Sequence, residues 1–221
     1  MRMTTAAAAM ATFLALTAPA HAEDGKWLVK VMGTAVLPDG KITQVDKDLV
    51  GLPADLQTKA NDNYVPTLAI EYFFTPNISV ETICCMTQHD VDATTGLPGA
   101  ELVSNAKIIP ATFTLKYHLN AGPIRPYVGA GPSYFLVVSD KSGAATVAAG
   151  ADGFKLDDHF GVALQAGFDI PLGEKGFALS FDAKRYFLKT SAHWYAGDTE
   201  VIATEHKLDP WLLSAGVGYR F

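Results

Sequence analysis

Hydrophobic residues alternate with small or polar ones along the final segment of the chain, from Leu208 to Phe221. A two-residue period is typical of a β-strand with two different faces. Aromatic residues stand near both ends of the hydrophobic face, as they do on barrel strands that cross a lipid bilayer. The hydrophobic face consists of Trp211, Leu213, Ala215, Val217, Tyr219 and Phe221. The pattern therefore predicts a lipid-facing strand.

Seven further segments alternate in the same way, and long and short connections alternate between them. The predicted strands cover residues 26–36, 64–74, 78–85, 107–119, 126–139, 157–170, 177–190 and 208–221. An even strand number, with short turns on one side and long loops on the other, is typical of bacterial outer-membrane barrels. The sequence therefore predicts an all-β fold, an eight-stranded antiparallel transmembrane β-barrel with long extracellular loops and short periplasmic turns.

The predicted lipid-facing side of these strands is almost entirely apolar, and its aromatic residues collect at the periplasmic ends. There they would form the girdle that marks a membrane interface. These aromatic residues are Trp27, Phe74, Tyr117, Phe168, Phe177 and Phe221. A soluble lipocalin-like barrel, which would turn this face inward, is the alternative. It is disfavoured because the opposite face is not a continuous hydrophilic surface.

The opposite face carries charges of both signs in its periplasmic half and middle. Such charges can satisfy one another inside a narrow tube, as buried charges require. An eight-stranded barrel is just wide enough for side chains to fill, so we expect a charged plug in place of a continuous water-filled pore. The plug residues are Lys30, Glu71, Glu81, Lys116, Asp169, Asp182, Lys184 and Arg220.

The extracellular half of the same face is apolar, and two interpretations are open. These side chains either pack on one another to seal a structural barrel, or line a vestibule for a hydrophobic molecule. The residues that would line this path are Met32, Val36, Val65, Ile83, Ile108, Pro110, Phe135, Val137, Leu188, Leu208 and Leu212.

The chain begins with the pattern of a secretory signal peptide. An early arginine, Arg2, precedes an apolar stretch, and small residues at Ala20 and Ala22 mark a cleavage point. We expect residues 1–22 to be removed and residues 23–221 to form one outer-membrane β-barrel.

Net charge and cysteine content narrow the function further. The formal net charge of −6 argues against nucleic-acid binding. Cys84 and Cys85 are adjacent, and a disulfide between chain neighbours would be strained because their Cα atoms are too close. We interpret both as free thiols, and no cofactor is expected.

Six segments, in this order along the chain, resemble the OmpW/AlkL family of outer-membrane proteins. They read KWLVKVMGTAVLP, TLAIEYFFTPNISVE, IPATFTLKYHL, RPYVGAGPSY, FDAKRYFLKT and DPWLLSAGVGYRF. The resemblance implies an eight-stranded barrel in the cell outer membrane. It implies a passive channel in which a small hydrophobic ligand enters a vestibule from outside and leaves sideways into outer-membrane lipid. It also implies that the outer-membrane assembly machinery recognises the terminal strand with Phe221.

A sideways exit also has a physical reason, because a hydrophobic solute stopped by the plug gains nothing from periplasmic water when lipid lies beside it. Opening the wall requires weak strand pairing, and proline removes a ladder donor. Pro66, Pro110 and Pro132 lie within or at the extracellular ends of predicted strands. We expect a gate near Pro110; the alternative is that these prolines mark bulges or strand ends.

Three other classes of function are weaker. Lipid chemistry would need a catalytic group, and Ser139, Asp157, Asp158 and His159 have the right residue types without a nucleophile motif. No metal site is expected, because the histidines lack a tight ligand spacing; they are His89, His118, His159, His193 and His206. The main alternative to transport is a structural or receptor barrel whose polar extracellular loops bind partners.

Overall fold

Fourteen strands and one short helix make up residues 25–119 and 121–221, the part of the chain that the computed structural model describes. Eight strands build a barrel: β1 (Trp27–Leu37), β4 (Asn63–Phe73), β5 (Ile78–Cys84), β7 (Glu101–His118), β8 (Arg125–Ser142), β10 (His159–Pro171), β11 (Phe177–Phe187) and β14 (Trp211–Arg220). The others are β2 (Lys41–Asp48), β3 (Gln57–Ala60), β6 (Thr87–Thr95), β9 (Gly153–Leu156), β12 (Lys189–Ala196), β13 (Thr199–Lys207) and helix α1 (Ala144–Ala148). The expected signal peptide, residues 1–22, lies outside the described residues.

The barrel is closed and antiparallel, as predicted. Its strands follow the order β7-β5-β4-β1-β14-β11-β10-β8, and β8 pairs back onto β7. The first and last strands meet in register, with Leu28 opposite Arg220 and Leu37 opposite Trp211. In the described residues, no helix has the length and apolar character needed to cross a membrane.

The outward face is the one that the alternation predicted. Phe113, Leu164 and Leu213 would form a central core in a soluble barrel, yet they are 58%, 49% and 45% exposed. Their neighbours two residues away along each strand point outward in the same way. The lipocalin-like alternative is therefore wrong.

The long extracellular connections contain strands that the sequence did not predict. β7 begins at Glu101 instead of residue 107, and the segment predicted as 177–190 is divided between β11 and β12. Two sheets incorporate these connections: β2-β13-β12-β9 forms a separate four-stranded sheet, and β3 and β6 extend the barrel sheet from β7. We call the six strands β2, β3, β6, β9, β12 and β13, together with α1, the canopy.

The canopy has its own hydrophobic core around Trp194. The indole of Trp194 is buried, donates a hydrogen bond from Nε1 to the Leu102 carbonyl oxygen at 3.2 Å, and contacts the Phe154 ring at 5.0 Å. Leu56 and Ile202 are buried in the same cluster. Burial of apolar side chains thus folds the extracellular segments into a structured cap over the barrel.

Buried charged side chains hold the periplasmic half and middle of the barrel interior together. Glu81 lies at the centre, because its Oε1 accepts hydrogen bonds from Lys184 and Gln165 and its Oε2 accepts one from Lys116, all at 2.9 Å. The second oxygen also lies 3.5 Å from the Lys30 ammonium. One carboxylate therefore connects cations from three other strands.

Further acids complete this group, which we call the ion network. Glu71 accepts from Lys116 at 2.8 Å and from His118 Nε2 at 2.7 Å. Asp182 accepts from Lys184 at 2.7 Å and from the Tyr127 hydroxyl at 2.8 Å. The members that form these pairs are Lys30, Glu71, Glu81, Lys116, His118, Asp169, Asp182 and Lys184. Mutual pairing satisfies charges that have left water.

Replacing Glu81 with Gln tests how much the barrel depends on the ion network. The change keeps the shape of the side chain but leaves Lys116 and Lys184 short of a counter-charge, and breaking a buried ion pair costs about 3–5 kcal/mol. We expect Glu81→Gln to unfold at a clearly lower urea concentration, measured by heat-modifiable gel mobility.

The matched control is Glu205→Gln, which breaks the exposed Glu205–Lys189 pair on the canopy. This variant should unfold at the concentration of the parent protein, since exposed pairs contribute little. Equal midpoints for both variants would contradict the role of the ion network.

Candidate functional site

Four alternate inward positions, three in β11 and one just past its end, change from charged to apolar. Asp182 and Lys184 belong to the ion network, and Tyr186 and Leu188 follow them toward the extracellular side. Tyr186 is completely buried; its hydroxyl lies 3.1 Å from Thr112 Oγ1, and its ring meets Phe135 edge-on at 5.2 Å. Tyr186 therefore separates the ion network below from the apolar interior above.

Nine of the eleven residues predicted to line a hydrophobic path belong to, or pack against, one apolar cluster that begins at Tyr186; we call this cluster the vestibule. These nine are Met32, Val36, Val65, Ile83, Ile108, Phe135, Leu188, Leu208 and Leu212. Pro110 is buried on β7 and Val137 is half-buried on β8, and the cluster does not include them. The cluster also contains Ala69, Cys85, Ala163 and Tyr186. Leu188 points inward although it lies between β11 and β12 rather than in a barrel strand.

A cavity of about 60 Å³ lies at the junction of the vestibule and the canopy. Its lining includes Val36, Ile108, Phe135 and Leu208 from the predicted path. Cavities that hold drug-sized ligands measure about 300–1,000 Å³. This cavity is therefore too small to hold a drug-sized molecule without displacement of side chains.

The barrel wall has a break beside the vestibule. β5 ends at Cys84, opposite Leu68, and β6 begins at Thr87, so residues 64–67 of β4 pair with β1 on one side and with no strand of the described chain on the other. On β7, residues 109–111 face the same break, which Pro110 therefore borders. Residues 85 and 86 continue the chain across this place, and we call the interruption of the strand ladder the wall break.

Side chains around the wall break point alternately into the barrel and toward lipid. Val65, Ile83 and Cys85 belong to the vestibule cluster, whereas Tyr64 and Met86 are exposed on the lipid side. Cys84 is exposed and Cys85 is buried, and both are free thiols. The wall break thus lies between the apolar interior and the surrounding lipid.

The predicted plug residues all lie inside the barrel, and seven of them form the pairs of the ion network. The eighth, Arg220, lies at the periplasmic end, where its Nε donates to the Gly25 carbonyl oxygen at 2.6 Å and its guanidinium lies 3.9 Å from the centre of the Phe73 ring. Sequence reasoning missed His118, Gln165 and Tyr127 as partners. Their inward positions at alternate residues of β7, β10 and β8 could have identified them.

Two buried histidines face the vestibule cavity in the same local arrangement. His89 and His206 each follow a threonine by two residues, and each His Nε2 lies 2.7 Å from that threonine hydroxyl, of Thr87 and Thr204. Their Nδ1 atoms face backbone carbonyl oxygens, at 2.7 Å for His89 and 3.3 Å for His206. A carbonyl can only accept, so Nδ1 carries the proton of the neutral ring and the threonine hydroxyl donates to Nε2.

Two of the residues considered for lipid chemistry, Asp157 and Asp158, are engaged in structural contacts. Asp158 accepts from the Val137 backbone N–H at 2.7 Å and from the Tyr134 hydroxyl at 3.2 Å. Burial raises the pKa of Asp157, but Lys155 at 3.1 Å and His193 outweigh burial and hold the pKa below its ordinary value. These acids support the canopy as acceptors.

Acidification should loosen the canopy through His89 and His206. Burial lowers the pKa of both rings; a carbonyl contact opposes this shift in each, and Asp90 and Asp62 also oppose it for His89. The folded state therefore binds fewer protons than the unfolded chain, so this contribution to stability is complete above the unfolded pKa of about 6.5 and is lost as pH falls below it.

Hydrogen exchange measures this effect directly. Between pH 7.5 and pH 5, we expect β13 and β6 to lose protection, after correction for intrinsic exchange, while β1 and β14 keep theirs. A His89→Gln/His206→Gln variant should lose most of the difference. A parent protein whose canopy protection is the same at both pH values would contradict this account.

Comparison with known proteins places this barrel in a family. The model of the OmpW family matches residues 23–221. The uncharacterized outer-membrane protein y4mB of Sinorhizobium fredii is 36% identical over 201 residues, which cover 88% of this chain and 80% of that protein. The dibenzothiophene metabolism operon protein PahQ of Pseudomonas aeruginosa is 30% identical over 210 residues and 93% of each chain.

A solved structure shows the same fold. The crystal structure of the outer membrane protein OprG from Pseudomonas aeruginosa matches with a TM-score of 0.76 at 24% identity, over 89% of this chain and 96% of that chain. The fold, the exposed apolar belt and the family match agree with one another. The chain belongs to the OmpW family, and it is a β-barrel of the outer membrane.

Proposed function

We propose that this protein is a passive channel that admits small hydrophobic molecules through the vestibule and releases them sideways into the outer membrane. The observation that carries the proposal is the change inside one barrel from an apolar vestibule to a closed ion network at Tyr186. An apolar solute gains free energy by leaving water for the vestibule. It would lose that gain among paired charges.

The wall break supplies the exit that this arrangement requires. A solute beside Val65 and Cys85 would be separated from lipid by a stretch of wall without a strand ladder. Opening it disrupts fewer hydrogen bonds than opening a paired seam such as β1–β14, which has a continuous ladder. The relative PahQ bears the name of an operon for the metabolism of dibenzothiophene, an apolar aromatic compound, and this agrees with the proposed class of solute.

Catalysis is not part of the proposal. The acids near the extracellular strand ends are held by hydrogen bonds and ion pairs, as described above for Asp157 and Asp158. A passive channel needs no chemical step, and the inward face above Tyr186 offers an apolar surface in place of convergent reactive groups.

Filling the vestibule should block uptake. Ile108→Trp places a large ring in the cavity, whereas Ile109→Trp adds the same ring at the next residue, on the opposite face of β7. Overpacking costs about 1–3 kcal/mol, and a barrier raised by about 1.4 kcal/mol slows a process tenfold. We therefore expect roughly tenfold slower uptake in Ile108→Trp alone.

Uptake can be followed with N-phenylnaphthylamine, an apolar dye that fluoresces in lipid, added to Gram-negative cells that lack their own OmpW-family proteins. The parent protein should accelerate entrance of this dye and not of a charged dye. Dye uptake that is the same with and without the protein would contradict transport and favour the receptor barrel.

Closing the wall break should also slow uptake. Pro110→Val supplies a backbone N–H that proline lacks and favours pairing across the break. The matched control is Pro132→Val, on β8 opposite Val162 and away from the break. We expect slower dye uptake in Pro110→Val with the assembled barrel intact; equal rates for the two variants would argue against an exit at this place.

A further inference from the structure

A second cavity of about 40 Å³ lies within the canopy, further from the membrane than the vestibule. We call it the outer cavity. Most of its lining is apolar, and its main contributors are Ile42, Leu52, Leu97, Leu102, Trp194 and Ile202. Trp194 and Ile202 belong to the canopy core. The outer cavity is therefore a gap in that core.

The outer cavity reaches the surface where three extracellular segments meet. Leu52 comes from the turn after β2, Leu97 from the turn after β6, and Thr146 from helix α1. Leu97 lines the cavity and is also 45% exposed, so it lies at the mouth. A large exposed leucine at this position offers an apolar contact to a solute that arrives from water.

One side chain lines both the outer cavity and the vestibule cavity. His206 lines both, and it is the residue that the two linings share within the described chain. Its ring is 5% exposed and is fixed by Thr204 at 2.7 Å and by the Gly40 carbonyl oxygen at 3.3 Å. Both ring nitrogens thus have protein partners, which leaves the ring carbons for contact with an apolar molecule.

We propose that hydrophobic molecules enter at Leu97, pass through the outer cavity, and reach the vestibule by displacing His206, whose ring is the partition between the two cavities. This inference rests on the proposed transport function and specifies its entrance. Displacing the ring breaks two hydrogen bonds that can re-form once the solute has passed, so the ring resists passage without sealing it.

Removing the partition is the first test. His206→Ala should join the two cavities. We expect faster uptake of N-phenylnaphthylamine and a smaller difference between the uptake rates of small and bulky apolar dyes. The matched control is His193→Ala, in the same sheet, where His193 contacts Glu200 and Asp157 on the half-exposed side. Equal uptake rates for His206→Ala and His193→Ala would overturn the role of His206.

Blocking the mouth is the second test, and it does not depend on how His206→Ala folds. In a Cys84→Ser background, which removes the exposed native thiol, Leu97→Cys is labelled with a bulky polar maleimide. Leu49→Cys is the control, because Leu49 is 64% exposed and lines neither cavity. We expect the label at residue 97 to slow dye uptake several-fold and the label at residue 49 to leave it unchanged.

The failure of this inference and the failure of transport are distinguishable. If the label at residue 97 has no effect while Ile108→Trp still blocks uptake, molecules reach the vestibule by another route and the proposed entrance is wrong. If the parent protein does not accelerate uptake at all, the proposed function itself fails.

Discussion

The buried ion pairs around Glu81 are the interaction on which the rest of this structure depends. The barrel presents its apolar side chains to lipid, so the hydrophobic effect of water cannot organise its periplasmic half from within. Charges in that interior must be paired, and Glu81 meets Lys116, Lys184 and Lys30 from three different strands. The ion network is fully engaged in such contacts, so it leaves no space for water and offers no apolar surface to a hydrophobic solute. Any transport of an apolar solute would therefore have to avoid the ion network.

Above the ion network, the barrel wall has an interruption in its strand ladder. The β5 strand is only seven residues long, and Cys84 ends it before the extracellular rim. Its neighbours β4 and β7 continue, so the wall lacks a ladder at the depth of the vestibule, with a proline bordering the break at Pro110. The short strand and the proline together leave backbone groups without ladder partners where the apolar interior lies next to lipid.

The sequence predicted the barrel well because each barrel strand has two chemically different environments. Lipid selects one face of Phe113 and Leu164, and the interior selects the other, so the two-residue period is strong. The canopy was missed because its strands lack that contrast: β2 is largely exposed on both faces, and bulges interrupt the register of β12 and β13 near Trp194. The Thr-x-His pairs are readable in the sequence, but their meaning depends on which carbonyl oxygens meet the rings.

Different interactions therefore stabilise the barrel and the canopy. The lower barrel depends on polar contacts enclosed by an apolar exterior, whereas the canopy depends on an apolar core, around Trp194, enclosed by water. Leu156 packs against the clusters of both and links them. A core of this modest size, with cavities on both sides of His206, belongs to the low-stability end of a structure, where local opening costs least. Opening of the canopy, which the proposed channel requires, would therefore leave the ion network and the barrel below it unchanged.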